Sequence, residues 1–369
     1  MPSALRTLFC VAALAAHAPS HSRDLVVGQV VDYAGKHGEA SRDYVAGART
    51  YFDWINQKGG VNGMKVRHQV LDGGANASDV RARTRQLLDE QRADVLFGYV
   101  GDEAVAAMGD ATTAGVALVG PLAGREAASQ AGAQIFFTRP SYDAEVRHVI
   151  AHFQALQIAR FAIVKSPGEQ GRLVGEMVER ALARQQLQSA GSHALAGDSA
   201  VEADAQAVSR LRAQALIVIA DTVQAAEFIK RYRPRDPGAM LVTLSTVNHR
   251  TLFELLGPSI AHGVMITQVV PNPLLAESPL LKEHLDAMRT FRDEPPSHLT
   301  LEGFIAAKAL IEGVRRAGAS PTRERILAAF QRAGRLDLNG VVVDFDPRSR
   351  SSAASVDLAM IRRNGGLLQ

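Results

Sequence analysis

The chain has 369 residues and carries 41 Lys and Arg against 38 Asp and Glu, a formal net charge of +3. Its basic residues are scattered among acids, so it lacks the basic stripe of a nucleic-acid-binding protein. A hydrophobic share of 47% over this length supports two lobes of ordinary domain size, and only 5% aromatics favours helices layered on parallel sheets over an aromatic-rich sandwich.

Residues 1–18 hold one positive charge at Arg6, an apolar run over 8–16 and the small-residue sequence Ala16-His17-Ala18. That is the pattern of a cleaved signal peptide, which predicts export to the periplasm. A membrane anchor needs roughly twice that apolar length. Pro19 places the mature start between Ala16 and Arg23, and Cys10, the single cysteine, falls inside the apolar run. Cleavage would leave a mature chain without thiol or disulfide chemistry.

Residues 25–31 form a continuous apolar strand, ending at the loop Asp32-Tyr33-Ala34-Gly35. A helical pattern follows from about Asp43, with Val45, Ala48, Phe52 and Ile55 on one face. Asn62-Gly63 then turns the chain into an alternating strand over 64–71. A helix over 77–91 leads to the stretch Val95-Leu96-Phe97-Gly98-Tyr99-Val100-Gly101-Asp102-Glu103. This reads as a buried strand delivering a glycine turn to a helix over 103–114. Such a turn can wall a pocket for a small polar molecule, while Asp102 and Glu103 also suit plain helix capping. Strands over 116–119 and 135–138 flank the loop Gly120-Pro121-Leu122-Ala123-Gly124 and complete one doubly wound lobe.

From Arg139 a second series of the same design begins. Helices are predicted over 143–156, 172–186, 203–212 and 223–232, and strands over 161–164, 215–220, 240–244 and 263–268. Each strand stops at a polar loop: 165–171, Asp221-Thr222, and Ser245-Thr246-Val247-Asn248. After the proline-rich segment 269–273 come helices near 280–292, 299–317 and 321–333, then strand-like runs over 341–345 and 355–361.

The stretch NQKGGVNGMKVRHQVLD at 56–72, with FGYVG at 97–101, TRPSYDAE at 138–145, TQVVPNP at 267–273 and EGFIAAKALIEGVRRAG at 302–318, resembles the periplasmic substrate-binding proteins of ATP-binding-cassette importers, of the branched-chain amino acid type. The resemblance implies an α/β fold: two doubly wound Rossmann-like lobes with a hinged cleft. Lobe 1 would comprise 24–141 and 273–343, and lobe 2 would comprise 142–272 and 344–369. The crossings would fall near 139–142, 269–273 and 343–346, and one ligand would be clamped between the lobes.

The resemblance also implies ligand contacts. A hydroxyl residue that meets a ligand carboxylate just after the glycine turn is replaced here by Asp102. Leu122, Ala123 and Gly124 match a contact made largely by backbone, and Tyr142 matches a position lining the cleft. Gln170 stands where an aromatic is common. Asp221, Ser245 and Thr246 lie at strand ends that hold an ammonium group or close the pocket. Tyr33, Tyr99 and Glu103, in the two glycine-bearing loops, complete the candidate ligand-binding set.

Glu145, His148 and His152 share one helical neighbourhood but sit at the edge of the apolar face, with no matching ligand pair elsewhere. Neither metal nor cofactor is predicted. The sequence contains no G-x-S-x-G elbow, no phosphate-binding loop and no H-E-x-x-H helix, so no catalytic residue is assigned. The expected function is an exported monomer that captures an amino acid, related carboxylate or amide and delivers it to the membrane permease of an importer. The alternative is a periplasmic sensor reporting to a signalling partner, and an exported hydrolase ranks below both.

Overall fold

The structure is a computed structural model that describes residues 23–74, 76–109, 114–124, 126, 134–346 and 356–368. The expected export segment at 1–18, with Cys10, lies outside the described residues.

Apolar runs without alternation build the centre of the first sheet. Strand β1 (Leu25–Val31) is buried along its full length, because it is flanked by strands on both edges and covered on both faces. Strands β2 (Val66–Asp72), β3 (Val95–Phe97), β4 (Leu118–Val119) and β5 (Ile135–Phe136) complete a parallel sheet in the order β2-β1-β3-β4-β5. Helix α1 (Gly38–Gln57) starts five residues before the expected point and buries Tyr44 and Tyr51 as well as Val45, Ala48, Phe52 and Ile55. Helix α2 (Ala77–Arg85) continues through a π turn at Gln86–Glu90. Helix α3 (Asp102–Ala106) is only five residues long, and part of the expected 103–114 helix falls outside the described residues.

The chain then enters a second, seven-stranded sheet. It comprises helix α4 (Tyr142–Ala155), β6 (Arg160–Lys165), α5 (Glu169–Arg184), β7 (Gln188–Ala194), α6 (Val201–Ser209), β8 (Ala215–Ile219), α7 (Thr222–Tyr232), β9 (Met240–Thr243), α8 (His249–Ala261) and β10 (Val264–Gln268). It returns to the first sheet's core with α9 (Pro279–Phe291), α10 (His298–Arg316), α11 (Arg323–Gln331) and the hairpin β11 (Arg335–Asp337) and β12 (Val342–Asp344). It ends on the second sheet with β13 (Asp357–Ile361) and β14 (Leu367–Leu368), both antiparallel to their neighbours, in the order β14-β13-β10-β9-β8-β6-β7.

Two elements carried no readable signal. Strand β7, QSAGSHA, is an edge strand with no apolar run. In α8, Gly257 (φ 73°) and Pro258 interrupt the helix and conceal its period.

The tightest packing is between α1 and α10. A Cβ on Gly47 would lie 1.8 Å from the Thr300 carbonyl oxygen, and one on Gly303 would lie 2.1 Å from that of Tyr44. The two helices therefore meet backbone to backbone, which holds the start of α1 at the edge of the interlobe cleft.

Candidate functional site

The C-terminal ends of the two sheets' strands face each other across a cleft, the position where open α/β sheets place ligands. Its central chamber is walled from the first lobe by Lys36, His37, Glu39 and Ala40 at the start of α1, by Val100 and Gly101 after β3, and by Leu122 after β4. The second lobe supplies Tyr142, Gln170, the run Ala220-Asp221-Thr222 after β8, and Thr246 after β9. The free volume is about 20 Å³, room for a single water. A second chamber of about 30 Å³ adjoins it, sharing Lys36, His37 and Val100 and adding Asp32, Asn76 and Glu103.

Backbone geometry sets the first wall. Gly101 has φ 95° and caps α3, and a Cβ there would lie 2.7 Å from the His37 ring. The turn delivers Asp102 inward, where its Oδ1 accepts the Gly124 N–H at 2.9 Å and the Tyr142 hydroxyl at 3.3 Å. Gln170 Nε2 donates to the same Tyr142 oxygen at 2.7 Å. A polar chain thus runs from the first lobe to the second across the cleft. Burial pushes the Asp102 carboxyl up to about 6, against the Gly124 N–H bond that favours its charged form. Glu103 is held well below the usual range by His37, 3.9 Å from its Oε2, and by Lys36, bonded to its Oε1 at 2.6 Å. Burial also raises Glu39 on the chamber wall.

Below the chamber, Arg139 is 1% exposed in the crossing between β5 and α4. Its Nη2 lies 3.3 Å from Glu145 of α4 and its Nε 3.5 Å from Glu302 of α10, and Nη2 also bonds Ser245 Oγ. Glu145 in turn accepts from Ser245 N at 3.0 Å, from Ser245 Oγ at 2.9 Å and from Thr267. Further along the interface, Asp43 accepts from Ser297 Oγ at 2.7 Å and from Asn248 Nδ2 at 3.4 Å, again joining the two lobes.

Of the sequence-predicted residues, Leu122, Tyr142, Gln170, Asp221 and Thr246 come together on the central chamber, Asp102 and Gly124 lie directly behind it, and Glu103 lines the adjoining one. Asp221 is also the N-cap of α7, accepting the Gln224 N–H at 2.9 Å. Four residues lie elsewhere. Tyr99 is fully buried, its hydroxyl 2.9 Å from Thr84, because Gly98 (φ 60°) breaks the alternation after β3 and sends the ring into the core beside Leu96. Ala123 packs in the same core, and Tyr33 is half-buried against the α1 core, on neither chamber wall. Ser245 belongs to the Arg139–Glu145 network. Glu145 is not at a solvated helix edge but buried, and among the described residues no group of three or more His, Cys, Asp or Glu could hold a metal.

Sequence reasoning missed Lys36, His37, Glu39, Thr222 and Arg139. The loop ending β1 was visible as a candidate, but its chamber residue is Asp32 rather than Tyr33. Among the described residues no helix is long and apolar enough to cross a membrane.

Residues 24–365 match the family described as periplasmic binding protein. The chain is similar to a substrate-binding periplasmic protein from Ralstonia solanacearum, at 28% identity and a TM-score of 0.87, with 94% of this chain and all of that one covered. An extracellular ligand-binding receptor from Verminephrobacter eiseniae superposes with a TM-score of 0.87 at 22% identity, over 94% of this chain and 100% of that one. The branched-chain amino acid transporter substrate binding protein LivJ of Streptococcus pneumoniae, in complex with isoleucine, superposes with a TM-score of 0.83 at 15% identity, over 93% and 97%. These likenesses establish the two-lobed type I periplasmic-binding-protein architecture. No curated protein matches the chain.

Proposed function

We propose, from the premise that this chain belongs to the periplasmic binding protein family, that it is an exported receptor that captures a small polar organic solute between its lobes and delivers it to an ATP-binding-cassette importer. The solute class is an amino acid, a related carboxylate or an amide, and no chemistry is performed on it. The observation that carries this reading is the interlobe chamber itself, walled by strand-end loops of two sheets and by the starts of α1 and α7.

The hinge divides the chain into 24–141 with 273–343 and 142–272 with 344–369, with export directed by residues 1–18. In support, α9, α10 and α11 share one core with α1, whereas β6, β8, β9 and β10 share others. A chamber of about 20 Å³ is too small for an amino acid, so capture requires the lobes to part and reclose. Closure desolvates the solute, and the membrane permease reads the closed surface.

The test is thermal unfolding of the mature, ligand-stripped protein against amino acids, amides and carboxylates. A true ligand at a hundredfold excess over its Kd adds about 2.7 kcal/mol and moves the midpoint by several degrees. Uptake by proteoliposomes that carry the neighbouring permease then separates delivery from sensing. A panel without any shift, and a purified protein that releases no small molecule on denaturation, would overturn the capture reading.

A further inference from the structure

The two chambers of the cleft are walled by acids in excess. Asp32, Glu39, Glu103 and Asp221 face them, against Lys36 alone among lysines and arginines of the described residues. That lysine is already committed, its ammonium 2.6 Å from Glu103. The lysine is therefore engaged, and His37 Nε2, on the wall of both chambers, lies 3.9 Å from the same Glu103 without a hydrogen-bond partner. Gly124 N–H, the backbone donor behind the chamber, is taken by the protein's own Asp102 carboxylate.

Asp32 supplies an independent sign. It is 6% exposed at the end of β1, and its Oδ1 accepts the Gly35 N–H at 2.6 Å. Its Oδ2 is buried without a hydrogen-bond partner. A carboxylate oxygen withdrawn from water and left unpaired is costly, and a donor entering the chamber it lines would relieve that cost. Bringing a second carboxylate into the same poorly solvated space would instead add like-charge repulsion.

We infer that the ligand of this cleft carries a cationic donor head, an amine or an amidinium, and no free carboxylate, with Asp32 and Glu39 as the acceptors that select it. The inference rests on the capture reading above and replaces its solute class with a cationic one. The cationic head enters the first-lobe side beside Lys36 and Glu103, and the remainder of the molecule lies against Leu122 and Tyr142.

The experiment is isothermal titration of the mature, ligand-stripped protein with putrescine and agmatine, and with leucine, benzoate and acetamide as the contrasting set. The wild type is expected to bind an amine or amidinium probe saturably and to ignore leucine and benzoate. Asp32→Asn, which keeps the acceptor for Gly35 N–H, and Glu39→Gln should each weaken that binding by tenfold or more. Circular dichroism melts of both variants verify that they fold. Binding of leucine or benzoate in preference to the amines would overturn the cationic class and leave the capture reading intact. So would amine binding that neither variant weakens. If no probe binds, mass spectrometry of the molecule released on denaturing freshly purified protein decides: a cation without a carboxylate supports the inference, and any other result overturns it.

Discussion

The Tyr142 ring rests against Gly124 so closely that a Cβ on the glycine would sit 2.2 Å from the ring's Cε2. One residue comes from a first-lobe loop and the other opens the second lobe's first helix, so the contact joins the two lobes. Gly124→Ala is expected to push the ring off its seat and break its bond to Asp102. Overpacking of this kind costs about 1 to 3 kcal/mol. The midpoint of thermal unfolding should fall by several degrees, and small-angle scattering of the ligand-free variant should show a larger radius of gyration than wild type.

Asp102 makes stability depend on pH in an unusual direction for an acid. Burial raises its folded pKa to about 6, above the ordinary value of an unfolded aspartate. The folded state therefore binds the proton more tightly than the unfolded one. The stability this group contributes is present below the unfolded pKa, near 4, and is lost as pH rises through about 6. Asp102→Asn keeps the acceptor for Gly124 N–H and removes the ionisation. It should stabilise the protein at pH 7 to 8 by about 1 to 3 kcal/mol. Urea melts of wild type and variant at pH 4 and pH 8 would check this, and a gap no wider at pH 8 than at pH 4 would contradict it.

Arg139 holds two buried acids that belong to different lobes. Removing it strands Glu145 and Glu302 in the interior with no counter-charge. Arg139→Met is expected to destabilise the protein by about 3 to 5 kcal/mol. Glu302→Gln should cost less, because Arg139 retains Glu145. A denaturant titration of the two variants and the double variant gives the coupling between them, and additive losses would show that the triad does not act as a unit.

The parts of this molecule legible in its sequence are those where one short run carries the signal. The unbroken apolar runs of β1, β3 and β8 read directly as buried strands, and Tyr142, Gln170 and Asp221 were placed by resemblance at strand and helix ends that do converge. What stayed hidden depends on neighbours distant along the chain. Gly47 and Gly303 look like helix-weakening residues until α1 and α10 are seen to meet backbone to backbone. Arg139 reads as a crossing residue until Glu302 lies beside it. Lys36, His37 and Glu39 sit in a stretch with no period, and their position follows from the tight approach of Gly38, where a Cβ would lie 2.4 Å from the Tyr33 carbonyl oxygen.

That backbone contact between helices gives a further test. Gly303→Ala would force α10 away from α1 along the length of the first lobe's core. Because the obstacle is the Tyr44 carbonyl and not a flexible side chain, the structure has no inexpensive way to yield, and a loss of about 3 kcal/mol is expected. Guanidinium melts of the variant would reveal it, whereas a wild-type midpoint would mean that the helices separate without cost.

Lys36 separates binding from folding. Its ammonium pairs with Glu103 at 2.6 Å, with both side chains close to half exposed, and exposed pairs of this kind contribute at most about 1 kcal/mol. Lys36→Met should therefore move the unfolding midpoint by no more than a degree or two. The same change releases a carboxylate on the chamber wall and leaves the acids there without their lysine. Affinity for a cationic solute should rise, by about tenfold if one unscreened charge contact of 1.4 kcal/mol is gained. Parallel titration and thermal melts would show the two effects apart, and a variant that loses stability without any change in affinity would assign Lys36 to the fold alone.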